Sequence, residues 1–242
     1  MKIIFLIRAV ACDFLMYLSM LVIGAAGFPI ALISRQYTYR VIRFYCNTVF
    51  FFLRIVANLR VEVRGEVPSE SCLICSKHQS FLDVMMLAAV LPDFRFIMKH
   101  QLVHLPVIGF YARRVGCVAV NREKKGGTVK QMVRDLRKDI NRQTVVYPQG
   151  TRALPGAKLP YKHGAGVIYT SLEKKCYLVA TNTGIFWGRR SFFRYPGTAV
   201  IDFFESIDKG LETSKFMSSI EKKIEEKSEE LMSEARQKSQ LK

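Results

Sequence analysis

Acidic residues are scarce in this sequence, with 20 Asp and Glu against 37 Lys and Arg and a formal net charge of +17. This imbalance favours anionic partners, but its sign alone does not separate nucleic acid from anionic lipid. Clusters of His, Cys, Asp or Glu with metal-ligand spacing are also missing, so no metal site is predicted. The cysteines lack metal-type pairing and are interpreted as reduced, structural thiols in a cytosolic setting; they are Cys12, Cys46, Cys72, Cys75, Cys117 and Cys176.

Charge is absent altogether from Phe14 to Ile33. As a helix, a run of this length reaches roughly the 30 Å of a bilayer's hydrocarbon core. The run is longer than the hydrophobic region of a usual signal peptide, and no clear cleavage site precedes Arg35, so a membrane helix is the better prediction. Because positive charge lies on both sides of it, spanning and half-inserted arrangements both remain open, with the globular part cytoplasmic.

The segment from Tyr37 to Leu59 is predicted to be a second, amphipathic helix. Its polar residues fall within about 60° of one another on a helical wheel and leave the remaining surface apolar. This pattern suits the bilayer interface, and a helix packed on the protein core is the alternative. The stripe consists of Arg40, Arg43, Asn47, Arg54 and Asn58.

Beyond residue 59, short apolar runs alternate with helix-like stretches, which predicts an α/β domain. We expect membrane-binding helices over 1–58, a catalytic domain over 59–207 and a charged helical tail over 208–242. The tail carries a thin apolar stripe and is predicted to be solvated or loosely docked. The predicted strands are Val61–Val63, Cys72–Cys75, Phe94–Met98, Cys117–Val120, Thr144–Tyr147, Cys176–Ala180 and Ala199–Phe204.

His78 directly follows the predicted strand Cys72–Cys75, and Asp83 precedes an apolar helix. On one continuous helix the two residues would lie about 140° apart, so a His–Asp pair requires a loop followed by a helix that begins near Ser80. In such a pair, Asp83 fixes the imidazole tautomer and His78 takes a proton from an attacking hydroxyl. The alternative is that Ser80 and Asp83 form a helix N-cap.

Two arginines follow predicted strands, where ligands of α/β proteins bind. Arg122 ends the run that begins at Gly116, and Arg152 ends the turn that follows Tyr147. Arginine at these places favours bidentate capture of a phosphate, and Gly150 lets the backbone approach it. A solvated charge is the alternative for each arginine.

These elements together resemble the glycerolipid acyltransferases, typified by the lysophosphatidate acyltransferases, over about residues 60–205. The segment from His78 to Asp83 is similar to the family's HxxxxD motif. The next conserved block of the family is matched by Lys99, Leu102, Pro106 and Gly109. The second, third and fourth motifs of the family resemble the segments Gly116–Arg122, Gln149–Arg152 and Val179–Asn182, respectively. The resemblance implies a mixed, largely parallel sheet flanked by helices.

The resemblance also implies the roles of the site residues. His78 is expected to act as the base and Asp83 as its orienter. The acceptor phosphate is expected to bind to Arg122, Gly150, Thr151, Arg152, Gln149 and Lys99, and the fourth motif is placed near the acyl donor. The chain departs from the family pattern at Gln149, where Glu is usual, and at Leu178, where Pro is usual. Gln149 keeps its hydrogen-bonding reach and loses a negative charge.

The function implied is transfer of an acyl chain from acyl-CoA or acyl carrier protein to the sn-2 hydroxyl of lysophosphatidate, giving phosphatidate. No cofactor is expected. The expected location is the cytoplasmic face of the inner membrane, with anionic membrane lipids as partners. The alternatives are another acceptor, namely glycerol-3-phosphate or a lyso-ornithine lipid, and a non-catalytic lipid-binding protein.

A basic and aromatic stretch, Trp187–Tyr195, is compatible with the membrane interface and with single-stranded nucleic acid. Nucleic-acid binding leaves the uncharged N-terminal run and the His–Asp spacing unexplained, so no nucleic-acid partner is predicted.

Overall fold

The computed structural model describes residues 2–121 and 128–240. Within these ranges the helices are α1 (Lys2–Ile33), α2 (Arg35–Ala57), α3 (Phe81–Val90), α4 (Pro106–Arg114), α5 (Thr128–Arg137), α6 (Gly164–Leu172), α7 (Thr183–Phe186) and α8 (Thr213–Gln240), with a 3-10 helix over His100–His104. The strands are β1 (Leu59–Gly65), β2 (Leu73–Ser76), β3 (Phe94–Lys99), β4 (Val118–Val120), β5 (Gln143–Val146), β6 (Cys176–Thr181) and β7 (Gly197–Ile207). Each of the predicted strands is confirmed, with small shifts at its ends.

The strands form one sheet in the order β1-β7-β6-β2-β5-β3-β4. All neighbouring pairs are parallel except β6 and β7, which are antiparallel. The mixed, largely parallel sheet is therefore confirmed. Because β6, β2, β5, β3 and β4 run in one direction, their carboxyl ends meet at a single edge of the sheet, where α/β proteins bind ligands.

Helices cover both faces of the sheet, and the central strand β2 shows how. Its side chains alternate between the two faces, and all of them are buried. Ile74 packs into a core shared with α2 and α3, whereas Leu73 and Cys75 pack into a core shared with α5, α6 and α8. The domain is therefore a three-layer α/β/α structure.

Helices α1 and α2 form a hairpin that turns at Ser34, whose hydroxyl caps α2 by accepting the N–H of Tyr37. Gly27 permits close packing here, since a β-carbon at this position would lie 2.5 Å from a methyl group of Val41. Helix α1 is long and apolar enough to cross a membrane, and only 28% of its most apolar window is buried inside the fold.

Helix α2 combines the two arrangements that the sequence left open. One face, which includes Tyr39 and Leu53, is buried in the core. The opposite face exposes apolar side chains, with Phe51 57% and Ile55 64% accessible. Arg43 of the polar stripe is only half-buried and donates to the carbonyl of Leu91 at 2.8 Å. The helix thus packs on the domain and also presents an apolar surface outward.

The C-terminal helix α8 differs from the solvated or loosely docked helix that was predicted. Its residues Phe216, Ile220 and Ile224 are fully buried against the sheet, and Leu231 continues the buried side. The prediction missed the docking because charged residues dominate the composition of the segment, whereas the spacing of its few apolar residues determines which face is buried.

Candidate active site

His78 lies in the short loop between the end of β2 and the start of α3. Its Nδ1 is 2.8 Å from Oδ1 of Asp83, so the loop produces the pairing that a continuous helix forbids. A carboxylate only accepts hydrogen bonds, which assigns the proton to Nδ1 and leaves Nε2 of His78 as the basic nitrogen.

Asp83 also caps the helix. Its Oδ2 accepts the backbone N–H groups of Gln79 at 2.8 Å and Ser80 at 2.7 Å, and the Ser80 hydroxyl accepts the N–H of Leu82 at 3.0 Å. The capping alternative and the His–Asp pair are therefore both present, one on each carboxylate oxygen. Because the Asp83 side chain is 0% exposed and held by fixed donors, it keeps the imidazole in one orientation.

Tyr147 forms a second support for the imidazole. Its ring is stacked on that of His78, with centroids 4.0 Å apart and an interplanar angle of 21°. The Tyr147 hydroxyl is buried and has no hydrogen-bond partner within the described part of the chain. Burial and the nearby Asp83 carboxylate raise the pKa of Tyr147 well above its usual value. The residue directly follows strand β5 and was not singled out from the sequence.

A cavity of about 490 Å³ opens beside this pair. Five of its lining residues lie at or just beyond the carboxyl ends of β2, β3 and β5, namely His78, Lys99, Gly150, Thr151 and Arg152. The sheet therefore brings together most of the residues predicted from separate motifs. The proposed ligand Arg122 lies outside the described residues.

The remaining lining residues are mostly apolar and come largely from helices. They include Met20 and Ile23 of α1, Ile42 of α2, Met85 of α3 and Ile108 of α4. A cavity with one cationic, hydrogen-bonding end and an apolar remainder matches an amphipathic ligand such as a lipid. Sequence reasoning did not assign α1 and α2 to the site. The glycines of α1 were the available signal, because Gly24 lies on the cavity wall and a β-carbon there would approach Val107 at 2.6 Å.

The loop that carries Arg152 is tied to the catalytic loop, since the N–H of Ala153 donates to the carbonyl of His78 at 2.8 Å. Gly150 has a φ of +68°, a left-handed conformation that favours glycine. The N–H of Gly150 donates to the carbonyl of Tyr147 at 2.8 Å, so this N–H is already engaged within the loop.

Gln149 is 3% exposed and is not among the residues that line the cavity. Its side-chain amide donates to the carbonyl of Leu159 at 3.2 Å and to Glu225 of α8 at 3.3 Å. The structure thus separates Gln149 from the other proposed phosphate ligands, and its assignment to the acceptor stays a prediction.

The fourth motif lies behind Asp83, outside the cavity lining. Thr183, just beyond it, is 3.4 Å from Oδ2 of Asp83, and the buried Asn182 accepts the N–H of Val200 at 2.7 Å. Leu178 stands where the family usually has proline. It lies in β6, next to an irregularity in the pairing of β6 with β7. The motif therefore supports the site from the adjacent strand.

The basic and aromatic stretch is divided by the fold. Trp187 and Arg194 are buried, with the Arg194 guanidinium 4.2 Å from the Trp187 ring centroid and in an ion pair with Asp13 of α1. Phe192 and Tyr195 remain exposed. The stretch thus anchors α1 through Arg194 and leaves two aromatic side chains exposed.

Comparisons with known proteins identify the family of the chain. A family profile described as Acyltransferase matches residues 58–195. The chain belongs to this acyltransferase family, as its motifs predict.

Among curated proteins, the chain is 27% identical over 198 residues to the 1-acyl-sn-glycerol-3-phosphate acyltransferase of Pseudomonas aeruginosa, a match that covers 79% of this chain and 77% of the relative. It is 33% identical over 123 residues to the protein of the same name in Helicobacter pylori, with 50% and 52% of the two chains covered. The human beta enzyme of that name is 31% identical over 159 residues, which cover 62% of this chain and 56% of the human protein. The last two matches thus span little more than half the length of these relatives.

Among solved structures, the crystal structure of the 1-acyl-sn-glycerophosphate acyltransferase from Thermotoga maritima superposes with a TM-score of 0.79 at 18% identity. The superposition covers 95% of this chain and 98% of the other. It therefore shows that the two proteins share one fold.

Proposed function

We propose that the protein transfers a fatty acyl chain from an acyl thioester, acyl-CoA or acyl carrier protein, to the sn-2 hydroxyl of lysophosphatidate and so forms phosphatidate. The observation that carries the proposal is that one cavity is lined by His78, which Asp83 holds, by the cations Lys99 and Arg152 and by many apolar side chains. The names of the bacterial and human relatives support the choice of acceptor.

The acceptor phosphate has two cationic partners on the cavity wall, the ammonium of Lys99 and the guanidinium of Arg152. A guanidinium binds two phosphate oxygens at once, which fixes the orientation of the acceptor as well as its position. When the phosphate is held in this way, the free hydroxyl of lysophosphatidate lies next to Nε2 of His78. Arg122 is a further proposed ligand of the phosphate.

The chemical step then needs one base. Nε2 of His78 removes the proton of the acceptor hydroxyl while the oxygen attacks the thioester carbonyl carbon. Asp83 stabilises the imidazolium that forms. When the carbon–sulfur bond breaks, the thiolate of the carrier leaves and takes the proton from His78. The base is thereby regenerated, and the carrier thiol is the second product.

The proposed location is the cytoplasmic face of the inner membrane, where anionic lipids attract the basic chain. Helix α1 supports partial insertion of the hairpin rather than a span, because it is fixed to the catalytic domain at two distant points. Asp13 pairs with Arg194 on the domain, and the carbonyl of Ala31 accepts a hydrogen bond from Arg114 at 3.0 Å. A span of the bilayer by this part of α1 would draw the attached surface of the domain into the hydrocarbon.

The test is acyl transfer to lysophosphatidate by membranes that contain the wild type, His78→Ala or His163→Ala, with acyl-CoA and acyl carrier protein supplied separately. His163 is an exposed histidine away from the cavity lining and serves as the matched control. Phosphatidate from the wild type and the control, and none from His78→Ala, is expected. Full activity in His78→Ala would contradict the mechanism.

Failure of the wild type with both donors would contradict the proposed acceptor. Glycerol-3-phosphate and a lyso-ornithine lipid are then the acceptors to try under the same conditions. Membrane association without product from any of the three acceptors would identify a non-catalytic lipid-binding protein on this scaffold.

A further inference from the structure

An ion pair between a buried lysine and a partly exposed glutamate lies directly behind the catalytic loop. Lys77, the residue before His78, is 2% exposed. Its Nζ lies 2.5 Å and 2.7 Å from the two carboxylate oxygens of Glu225 in helix α8. Removal of an ammonium group from water is unfavourable unless an anion accompanies it. The buried position of Lys77 therefore depends on Glu225.

The same carboxylate reaches the second loop of the site. Its Oε1 accepts hydrogen bonds from the hydroxyl of Tyr161 at 3.0 Å and from the amide of Gln149 at 3.3 Å. Burial and the charge of Glu225 raise the pKa of Tyr161, so its hydroxyl remains a donor. Glu225 thus joins Lys77, next to His78, with Gln149, next to Gly150.

Neighbouring residues in these loops face opposite ways. His78 and Gly150 line the cavity, whereas Lys77 and Gln149 are buried and contact α8. A shift of either buried side chain would therefore move the adjacent cavity residue through a single peptide unit.

Helix α8 offers a fixed support for the carboxylate. Ile224, adjacent to Glu225, is 0% exposed and belongs to the hydrophobic core that lies against the sheet. Ser228, one turn after Ile224, is also 0% exposed. The Ser228 hydroxyl accepts the N–H of Thr181 in β6 at 3.4 Å. Since the core fixes this part of α8, the position of Glu225 is set by packing and not by the loops that it holds.

From this arrangement we infer that Glu225 is a positioning residue for acyl transfer. Through Lys77 and Gln149 it holds the loops of His78 and Arg152 in their mutual geometry. The inference rests on the proposed function, and it gives the C-terminal helix a part in catalysis although α8 contributes no residue to the cavity lining. Gln149 carries no charge, so the carboxylate that neutralises Lys77 comes from α8.

The test compares Glu225→Gln with Glu226→Gln, a change at the exposed neighbouring glutamate. Glu225→Gln leaves the Lys77 ammonium without its anion, and we expect kcat per folded enzyme to fall roughly 10- to 100-fold, the size of effect that a displaced catalytic group produces. Glu226→Gln should match the wild type. Wild-type kcat in folded Glu225→Gln would overturn the inference.

A double variant, Lys77→Gln with Glu225→Gln, tests whether the unpaired charge of Lys77 is what displaces the loops. It removes both charges and leaves two amides that can bond to each other, so kcat should recover well above that of Glu225→Gln alone. No recovery would mean that the charge of Lys77 is not what displaces the loops, and would overturn the ionic part of the inference. If Glu225→Gln does not fold, Glu225→Asp is tested in its place. We expect its kcat to lie between that of the wild type and zero, and a wild-type kcat would overturn the inference.

Hydrogen–deuterium exchange gives a readout that does not depend on the reaction. Peptides that cover residues 77–83 and 148–153 should exchange faster in Glu225→Gln than in Glu226→Gln. If the wild type transfers no acyl chain, the proposed function fails, and the exchange result decides alone whether Glu225 holds the loops. Equal exchange in the two variants would show that it does not.

Discussion

The phenol ring of Tyr147 covers one face of the His78 imidazole, 4.0 Å away between ring centroids. The contact joins the loop after β5 to the loop after β2, and it limits rotation of the base about its own side-chain bonds. The Tyr147 hydroxyl makes no short hydrogen bond among the described residues and lies near the Asp83 carboxylate, so the direct contact with the imidazole comes from the ring.

For Tyr147 we therefore expect Tyr147→Phe to retain kcat within a few-fold and Tyr147→Ala to lose most of it. Tyr147→Ala should also lower the free energy of unfolding by about 2 kcal/mol, less than for a fully buried aromatic residue because Tyr147 lines a cavity. Steady-state kinetics and chemical denaturation measure the two effects. A large loss of kcat in Tyr147→Phe would instead assign a role to the hydroxyl.

Asp83→Asn separates the two roles of the carboxylate. The amide oxygen can still accept the capping N–H groups of Gln79 and Ser80, but the neutral side chain no longer stabilises the imidazolium. We expect kcat to fall by about 10⁴-fold, as for the equivalent change in a serine-protease triad, where the amide also favours the wrong imidazole tautomer. Thermal stability should change much less than in Asp83→Ala, which removes the cap as well. Similar stability losses in both variants would contradict this separation.

Arg152→Ala tests the guanidinium on the cavity wall. Loss of a charge-assisted hydrogen bond to phosphate should raise KM for lysophosphatidate by roughly 10- to 100-fold. An acceptor without phosphate should be affected little. Lys158→Ala, at an exposed lysine of the same loop outside the cavity lining, is the control for net charge. Equal effects of Arg152→Ala on both acceptors would refute the role in phosphate binding.

Gly150→Ala tests the shape of the same loop. Both Gly150 and Gly156 have left-handed φ angles, +68° and +78°, so alanine at either position should lower the free energy of unfolding by about 1–2 kcal/mol. A β-carbon at Gly150 would also lie 3.1 Å from the Lys162 side chain, whereas nothing lies within 4 Å at Gly156. We therefore expect Gly150→Ala alone to raise KM for the acceptor. A similar rise in Gly156→Ala would show that strain in the loop, not its contact with the cavity, is responsible.

The link between β1 and α8 predicts a pH dependence of stability. Arg64 binds Glu234 at 2.7 Å and 3.0 Å, and these hydrogen bonds, with that of Lys238, lower the pKa of Glu234 from 4.5 to about 2. A carboxyl with a depressed folded-state pKa contributes stability above its unfolded pKa, and the contribution is lost as the pH falls through the folded value. Because the pair is partly exposed, the contribution is about 0.5–1 kcal/mol.

The melting temperature of Glu234→Gln should accordingly lie below that of the wild type at pH 7, and the difference should shrink as the pH falls from 4.5 toward 2. Glu226→Gln provides the control at an exposed position of the same helix. A difference that persists unchanged at the acid end of this range would exclude the ionised carboxylate as its source.

Local patterns were sufficient to predict much of this protein. The seven strands, the two N-terminal helices and the start of α3 near Ser80 follow from the period of apolar residues and from capping signals, which act over a few residues. The need for a loop between His78 and Asp83 follows from helix geometry alone. The order of the motifs along the chain indicated the acyltransferase family, which the matched profile confirms.

Tertiary structure decided the rest, because those features depend on contacts between distant parts of the chain. Helices α1 and α2 supply cavity walls, Tyr147 stacks on His78, and Glu225 reaches Lys77 from 148 positions away. No local period or spacing encodes such pairs. They arise because the parallel strands carry their carboxyl ends to one edge of the sheet and because the buried stripe of α8 fixes how that helix lies on it.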